Sequence, residues 1–354
     1  MQPRIDVNLF VYNGAATIAE ALDSVLAQTW RNLAVTVIDN ASEDDTCGIV
    51  AGFAAADPRV RLLRNAANVG PVLNCQRAFW WGEAAFVMPK TADDLLAPDF
   101  IEAVMEALLA APGMAMCHSA GVVFGDDRRI SAVYPETHRL HAVGPDPLAR
   151  ARHVMAHYTS APAFWGIYRR DAVERLAPIT YRPGWDHAVL AELTLYGEIS
   201  HVKELSFWRR HGGKPVDQLA RGCSQFTQRS LPHDDEIADL FWTIPLIGTA
   251  YAHVERFALA RAPAALRRAL MEEVGPIFRA RWLPAMRREA AGLRRIVASR
   301  MDAAATSHAA SLWQARQIAA VLDAVQTILP DEDLSAERYA LLALGERGVA
   351  AYSS

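Results

Sequence analysis

The sequence predicts an α/β fold: a mostly parallel sheet flanked by helices, followed by an all-helical C-terminal extension. Three observations predict it. Over the first hundred residues, short apolar runs alternate with stretches of helical periodicity, the pattern of βαβ units. From about residue 235 onward the periodicity is helical almost throughout. The length of 354 residues also exceeds the roughly 250–300 that one core usually fills, so a large domain with an appendage, or two domains, is expected.

The elements follow in order. Residues 5–11 are an apolar, strand-like run closed by Tyr12-Asn13-Gly14. Residues 17–27 carry Ile18, Ala21, Leu22 and Val25 at helical spacing. Residues 33–38 form a β-branched run that breaks at Asp39-Asn40-Ala41-Ser42. A helix over 45–55, a strand over 60–63, a turn at Asn68-Val69-Gly70-Pro71, a helix over 72–81 and a strand over 85–88 complete this part. The middle, about 115–215, is mixed. There, Trp185-Asp186 opens a helical run ending at Gly197, and a short strand over 199–202 leads to Phe207-Trp208-Arg209-Arg210-His211-Gly212-Gly213. In the last part Leu312, Ile318, Leu322, Val325 and Leu329 form an apolar stripe. Ligands of parallel sheets bind beyond the carboxyl ends of the strands. Asn13, Asp39, Asn68 and the group Thr91-Ala92-Asp93-Asp94 therefore stand where chemistry is expected.

Composition narrows the function. A chain 52% hydrophobic and 21% charged buries enough surface to fold. The longest apolar stretch, near 241–252, is interrupted by Thr243, Pro245 and Gly248 and is too short to span a bilayer, and the N-terminus lacks a signal-peptide h-region. A soluble, cytoplasmic protein is expected. Cys47, Cys75, Cys117 and Cys223 lie far apart without CxxC pairing, which argues against a zinc knuckle or disulfide framework. The net charge of −4 and the lack of a recognisable module argue against nucleic-acid binding, and no GxGxxG follows the first strand. The charge is uneven, however. Residues 256–300 hold 11 Arg against Glu272, Glu273 and Glu289, a segment of +8 beside a remainder of −12. With Phe278, Trp282, Leu283 and Leu293 it suits an anionic lipid surface, where lipid-linked acceptors reside. Equally it suits a solvated face pairing with the acidic half or with a second subunit as a homodimer.

Several motifs together resemble inverting glycosyltransferases of family 2, of the bacterial surface-polysaccharide type, which have the GT-A fold. Tyr12-Asn13 resembles the family's residues after its first strand, and Leu22-Asp23-Ser24-Val25-Leu26-Ala27-Gln28-Thr29 its first-helix signature. Residues 39–46, Asp-Asn-Ala-Ser-Glu-Asp-Asp-Thr, look like its Asp-x-x-Ser-x-Asp-x-Thr nucleotide segment, and Asn68-Val69-Gly70 like the turn before its third helix. Thr91-Ala92-Asp93-Asp94 aligns with its metal-binding Asp-x-Asp-Asp, while Gly166-Ile167-Tyr168-Arg169-Arg170, Trp185-Asp186 and Arg209-Arg210-His211 look like acceptor-side landmarks. The resemblance covers about residues 1–215. It implies a nucleotide-sugar-binding half over 1–125, an acceptor-binding half over 126–215 and a helical extension over 216–354.

The resemblance implies a chemistry as well. Such transfer needs a cradle for base and ribose, neutralisation of the leaving diphosphate, and a base for the acceptor hydroxyl. Asp39 is expected to accept hydrogen bonds from the nucleobase or ribose of a UDP, GDP or dTDP sugar, with Tyr12, Asn13, Asn68 and Ala92 lining the pocket. Asp93 is expected to hold a divalent cation, Mn²⁺ or Mg²⁺, with His211 as a further contact and Arg209 facing the diphosphate. Asp94 is expected to brace the loop. Asp186 is the expected general base, toward a hydroxyl of a glycan or lipid-linked glycan. The chain departs from the pattern twice: Thr91 replaces the first Asp of the metal motif, and Trp185 stands where the family often has an acid. Those departures motivate the competing reading, a catalytically weak, nucleotide-sugar-binding scaffold. The plain alternatives for single residues are helix caps, at Asp39, Ser42, Asp94 and Asp186.

Overall fold

Four apolar runs of the N-terminal hundred residues form adjacent parallel strands. The computed structural model describes residues 2–135, 139–157, 161–180, 182–210, 243–304 and 311–342. Strands β1 (Ile5–Val11), β2 (Leu33–Asp39), β3 (Val60–Arg64) and β4 (Phe86–Thr91) alternate with helices α1 (Ile18–Leu26), α2 (Thr46–Ala56) and α3 (Pro71–Trp80). β1 is buried at six of its seven positions, as expected of a parallel strand covered on both faces. α1 buries Ile18, Ala21, Leu22 and Val25, the stripe read from the sequence.

The strand order is β3-β2-β1-β4-β8-β6-β9-β5, with β7 paired to β6. Here β5 is Leu95–Leu96, β6 Met114–Phe124, β7 Ile130–Val133, β8 Ile167–Arg169 and β9 Glu198–Arg210. The sheet is parallel over β3-β2-β1-β4 and mixed beyond, where β8 runs antiparallel to both β4 and β6 and β9 runs parallel to β6. The chain builds β2 and β3 on one side of β1 and then returns to place β4 on the other. β1 and β4 therefore flank a topological switch point, where such sheets open a crevice at the strand ends.

Helices α4 (Phe100–Ala110), α5 (Pro147–His157), α6 (Arg170–Val173) and α7 (Trp185–Leu193) complete the sheet domain. α8 (Pro245–Leu259), α9 (Ala264–Ala304) and α10 (Ser311–Ile328) form the helical part. The short strand expected over 199–202 is the start of the 13-residue β9. The charged Lys203 and Glu204 disguise the continuation, and register shifts around Ala120 absorb the irregularity.

Two cores hold the molecule. One, with Val7, Leu9, Val35, Val37, Met88, Phe100 and Met105, lies between the parallel sheet and α1 and α4. The other runs from Val72, Phe79 and Tyr168 through Leu190 to Phe257, Phe278, Val321 and Leu329. The helical part thus shares a core with the second half of the sheet. Phe278 and Leu293 are buried in it, and Trp282 and Leu283 pack against it, so these residues of the basic stretch face inward. Many of its arginines find partners within the chain: Arg256 pairs with Glu192, Arg294 with Glu332 and Glu337, and Arg281 donates to the Ala156 carbonyl. Among the described residues no helix is long and apolar enough to cross a membrane.

Candidate active site

The ends of the parallel strands coincide. Val11 pairs with Asp39, Asp39 with Arg64 and Phe10 with Thr91, so the loops leaving β1, β2, β3 and β4 emerge at one edge. The loops after β1 and β2 are laced together. Asn13 N–H donates to Ser42 Oγ (2.8 Å), and Asn13 Oδ1 accepts from Glu43 N–H (2.8 Å). Gly14 and Ala15 N–H donate to Thr46 Oγ1 (2.9 Å) and Asp44 Oδ2 (3.0 Å). Asn13 and Ala41 both take left-handed backbone, with φ of 51° and 62°. Asparagine tolerates that region; for Ala41 it stores strain of order 1–3 kcal/mol, a common feature of functional loops.

Asp39 is fully buried. Its Oδ2 accepts from Ser42 N–H (3.0 Å) and lies 3.5 Å from Arg64 Nε, while Oδ1 has no hydrogen-bond partner. Neither Asp39 nor Ser42 caps α2, whose N-cap is Asp45. A buried carboxylate oxygen left without a donor is costly unless a ligand supplies one. Tyr12 is half-buried beside this edge.

Asn68 Oδ1 accepts from Asn40 Nδ2 (2.7 Å) and from Gly70 N–H (2.9 Å), so it shapes the turn before α3. Asn40 Oδ1 in turn accepts from Asn65 and from Val69 N–H, and Asn74 donates to the carbonyls of Ile38 and Val11. This chain of asparagines was missed in the sequence apart from Asn68, although Asn40 and Asn65 obey the same strand-end rule that singled out Asn13.

On the other side of the switch point, Asp93 is exposed and Asp94 is buried. Asp94 accepts from Thr91 Oγ1 (2.5 Å) and from Arg210 N–H (2.9 Å), the bracing expected of it. Burial, then the neighbouring Asp93, push its carboxyl up to about 6. The buried Lys90 ammonium donates to the carbonyls of Thr91 and Asp94, and burial lowers it to about 8. Thr91, in place of an aspartate, is thus spent on holding Asp94. Ala92 is buried between these groups.

β9 brings two arginines to this loop, with different employment. Arg210 is locked by Glu20, Asp126 (3.1 Å) and the Asp93 carbonyl (3.1 Å), and its guanidinium lies over Phe124. Arg209 donates to Tyr134 Oη (3.1 Å). Burial opposes its charge, but Tyr134, Asp94 and Asp93 outweigh that and raise its affinity for the proton. The same guanidinium also favours the ionised form of Asp186. Tyr134 lies in the stretch with the least sequence pattern and was not foreseen.

Asp186 opens α7, half-buried, its Oδ1 accepting the N–H of His187 (2.9 Å). Burial pushes its carboxyl above the ordinary aspartate value, and the His187 N–H and Arg209 pull against that shift. Trp185 packs edge-on against Phe164, ring centroids 5.2 Å apart. His211 lies outside the described residues. Among those described, no three His, Cys, Asp or Glu side chains converge as a ready-made metal cage. A single exposed carboxylate fits Mg²⁺ or Mn²⁺ of the kind held by one or two protein oxygens plus substrate phosphates.

Comparison with known proteins bears on this arrangement. Residues 7–176 match the family model for Glycosyl transferase family 2. An uncharacterized glycosyltransferase of Nostoc is 24% identical over 234 residues, 64% of this chain and 71% of that one. The succinoglycan biosynthesis protein ExoO of Rhizobium meliloti is 31% identical over 128 residues, so only 36% of its length is matched, and the same share of this chain. Among solved structures, the mannosyltransferase PcManGT from Pyrobaculum calidifontis, in complex with GDP-Man and Mn²⁺, shares the fold at a TM-score of 0.51 and 17% identity. The superposition covers 99% of this chain and 88% of that one.

Proposed function

Because residues 7–176 are a family 2 glycosyltransferase domain on a GT-A fold, we propose that this glycosyltransferase works by inversion, moving a sugar from a nucleoside diphosphate to a hydroxyl of a glycan or lipid-linked glycan acceptor. One observation carries the reading. The fully buried Asp39 ends β2 with its Oδ1 unpartnered, at the same strand-end edge from which the loop bearing the exposed Asp93 leaves β4. A buried acceptor for a nucleoside beside an exposed carboxylate for a cation is what a nucleoside diphosphate sugar requires.

In this mechanism Asp39 accepts a hydrogen bond from an N–H or hydroxyl of the nucleoside on its unpartnered Oδ1, and the Asn13, Tyr12 and Asn68 loops with Ala92 shape the pocket around it. Asp93, with His211 as the resemblance implies, would hold a divalent cation, which would supply neutralisation of the charge that develops on the leaving diphosphate. Arg209 adds a fixed positive charge on the same side. Asp186 accepts the acceptor's hydroxyl proton as that oxygen bonds to the anomeric carbon, and the sugar–diphosphate bond breaks on the opposite face. Burial suits Asp186 to this task, because a raised carboxylate is a stronger base. The Mn²⁺ and GDP-Man of the archaeal structure support the cofactor and donor class, and the likeness to ExoO supports a polysaccharide acceptor.

The test is transfer or donor hydrolysis with UDP, GDP and dTDP sugars, with Mn²⁺ and with chelator. Turnover is expected with one nucleotide class, lost by at least about a thousandfold in Asp186→Asn and reduced in chelator. Binding of a nucleoside diphosphate without turnover under any condition would establish the scaffold reading instead.

A further inference from the structure

We propose that the helical extension belongs to the catalytic apparatus: α8 positions the first turn of α7, and Asp186 with it, through His253 and Thr249. The inference rests on Asp186 being the base.

α7 starts without a side-chain cap. Its N-cap is Gly184, at φ 63° and ψ 24°, a residue with no side chain to anchor the turn that carries Asp186. The fixing comes from α8. A Cβ on Gly184 would lie 2.3 Å from Thr249 Cγ2 and 2.5 Å from its Oγ1, so the threonine sits directly on the glycine. Thr249 is itself held, its hydroxyl donating to the Pro245 carbonyl (2.7 Å).

One turn further along α8, His253 bonds to His187, the residue after Asp186. The ring atoms His253 Nε2 and His187 Nδ1 are 2.7 Å apart, and His253 Nδ1 is 2.7 Å from the Thr249 carbonyl. A carbonyl only accepts, so His253 carries its proton on Nδ1. Burial lowers its basicity to about 4, leaving the ring neutral and Nε2 bare. His187 is therefore the donor in this bond, which ties its ring to α8. Both rings are buried, with Phe278 of α9 against them at centroid distances of 5.2 Å and 6.3 Å. In that apolar setting two hydrophobic side chains would pack without any desolvation cost. A directed hydrogen bond adds orientation, which packing alone does not.

The grip extends along α7. Glu255 accepts from Arg182 Nε and Nη2, both 3.1 Å, just before the helix, and Arg256 pairs with Glu192 (2.6 Å) at its far end. Thr249, His253 and Arg256 recur at i, i+4 and i+7, one face of α8.

The experiment compares His253→Leu, which keeps volume and removes the acceptor, with His253→Gln, whose carbonyl oxygen restores one. In the folded proteins, kcat for transfer is expected to fall about tenfold in the leucine variant, with donor KM and nucleoside diphosphate Kd within about twofold. Most of the loss is recovered in the glutamine variant. Thr249→Ala keeps the histidine pair and is expected to show the same split at about threefold, which decides the matter should His253→Leu not fold. Unchanged kcat in Thr249→Ala together with a folded, fully active His253→Leu overturns the positioning role. So does a glutamine variant no better than the leucine one. An Asp186→Asn enzyme that keeps its kcat overturns the assignment of the base itself, whatever the His253 variants do.

Discussion

Asp186 shows how much a single side chain owes to its surroundings. Burial raises its carboxyl, while the Arg209 guanidinium and a helical N–H restrain the rise. In the proposed role as base, Asp186 must be ionised, so kcat/KM is expected to fall as pH drops through its folded-state value, which lies above the ordinary 3.8. Replacing Arg209 by Met removes a cation that favours the ionised form. The acid limb of the pH–rate profile is therefore expected to move to higher pH, and nucleoside diphosphate affinity to fall; an unmoved limb would show that the two groups do not communicate. At this scale the sequence was informative about residue types at strand ends. Asn13, Asp39, Asn68 and Asp93 all meet at one edge because parallel strands bring their carboxyl ends together. Arg209 rather than Arg210 was expected at the diphosphate through the resemblance alone; the physical difference between them lies in Glu20 and Asp126 arriving from elsewhere to occupy the second.

Among the elements, α7 and α8 show what a buried ion pair does for an interface. Glu192 and Arg256 are almost wholly inaccessible, and burial opposes the charge on both. Ala177 N–H and Tyr196 Oη donate to Glu192 Oε1, and the Arg256 Nη atoms donate to the Ala177 and Pro178 carbonyls, while Glu192 Oε2 and Arg256 Nε have only their mutual charge contact at 2.6 Å. Glu192→Gln leaves the guanidinium without its counter-charge and is expected to cost about 3–5 kcal/mol in denaturant unfolding. Adding Arg256→Met should recover much of that loss; a double variant no better than the single one would refute the pair as the cause. The parallel strands were legible because continuous apolar runs can be read without knowing their neighbours. β6 and the second half of β9 were not, because His118, Ser119, Lys203 and Glu204 interrupt the apolar pattern, and the register shift between Ser119 and Ala120 that passes over Lys203 and Glu204 depends on the neighbouring strand. The helices of the last third were legible by period, but not their docking, which depends on the His187–His253 bond between positions 66 residues apart.

For the whole molecule, the near-neutral total concealed a basic helical segment against an acidic remainder; the Arg256–Glu192 pair uses that contrast to hold the halves together, while Arg294 pairs with Glu332 and Glu337 within the helical part. Buried histidines add a pH dependence. His253 stays neutral down to about pH 4, whereas in the unfolded chain it takes up a proton near 6.5. The unfolded state thus binds more protons between those values, and stability contributed by this residue is lost as pH falls across the window. Wild-type protein is expected to lose about 3 kcal/mol more than His253→Gln between pH 6.5 and 4, measured as the difference between their unfolding free energies. Parallel losses in the two proteins would contradict the assignment.

The division of the interior into two cores also sets an order in time. The first is assembled from residues 5–117 apart from Ile167 and Phe207. A nascent chain can therefore condense most of it while the remainder is still being translated. The second joins Val72 to Leu334, and the apolar faces of α5 and α7 find their cover only when the last helices emerge. Until then the half bearing Asp186 exposes the surface those helices will bury, which makes this stretch of synthesis the one where a chaperone matters most.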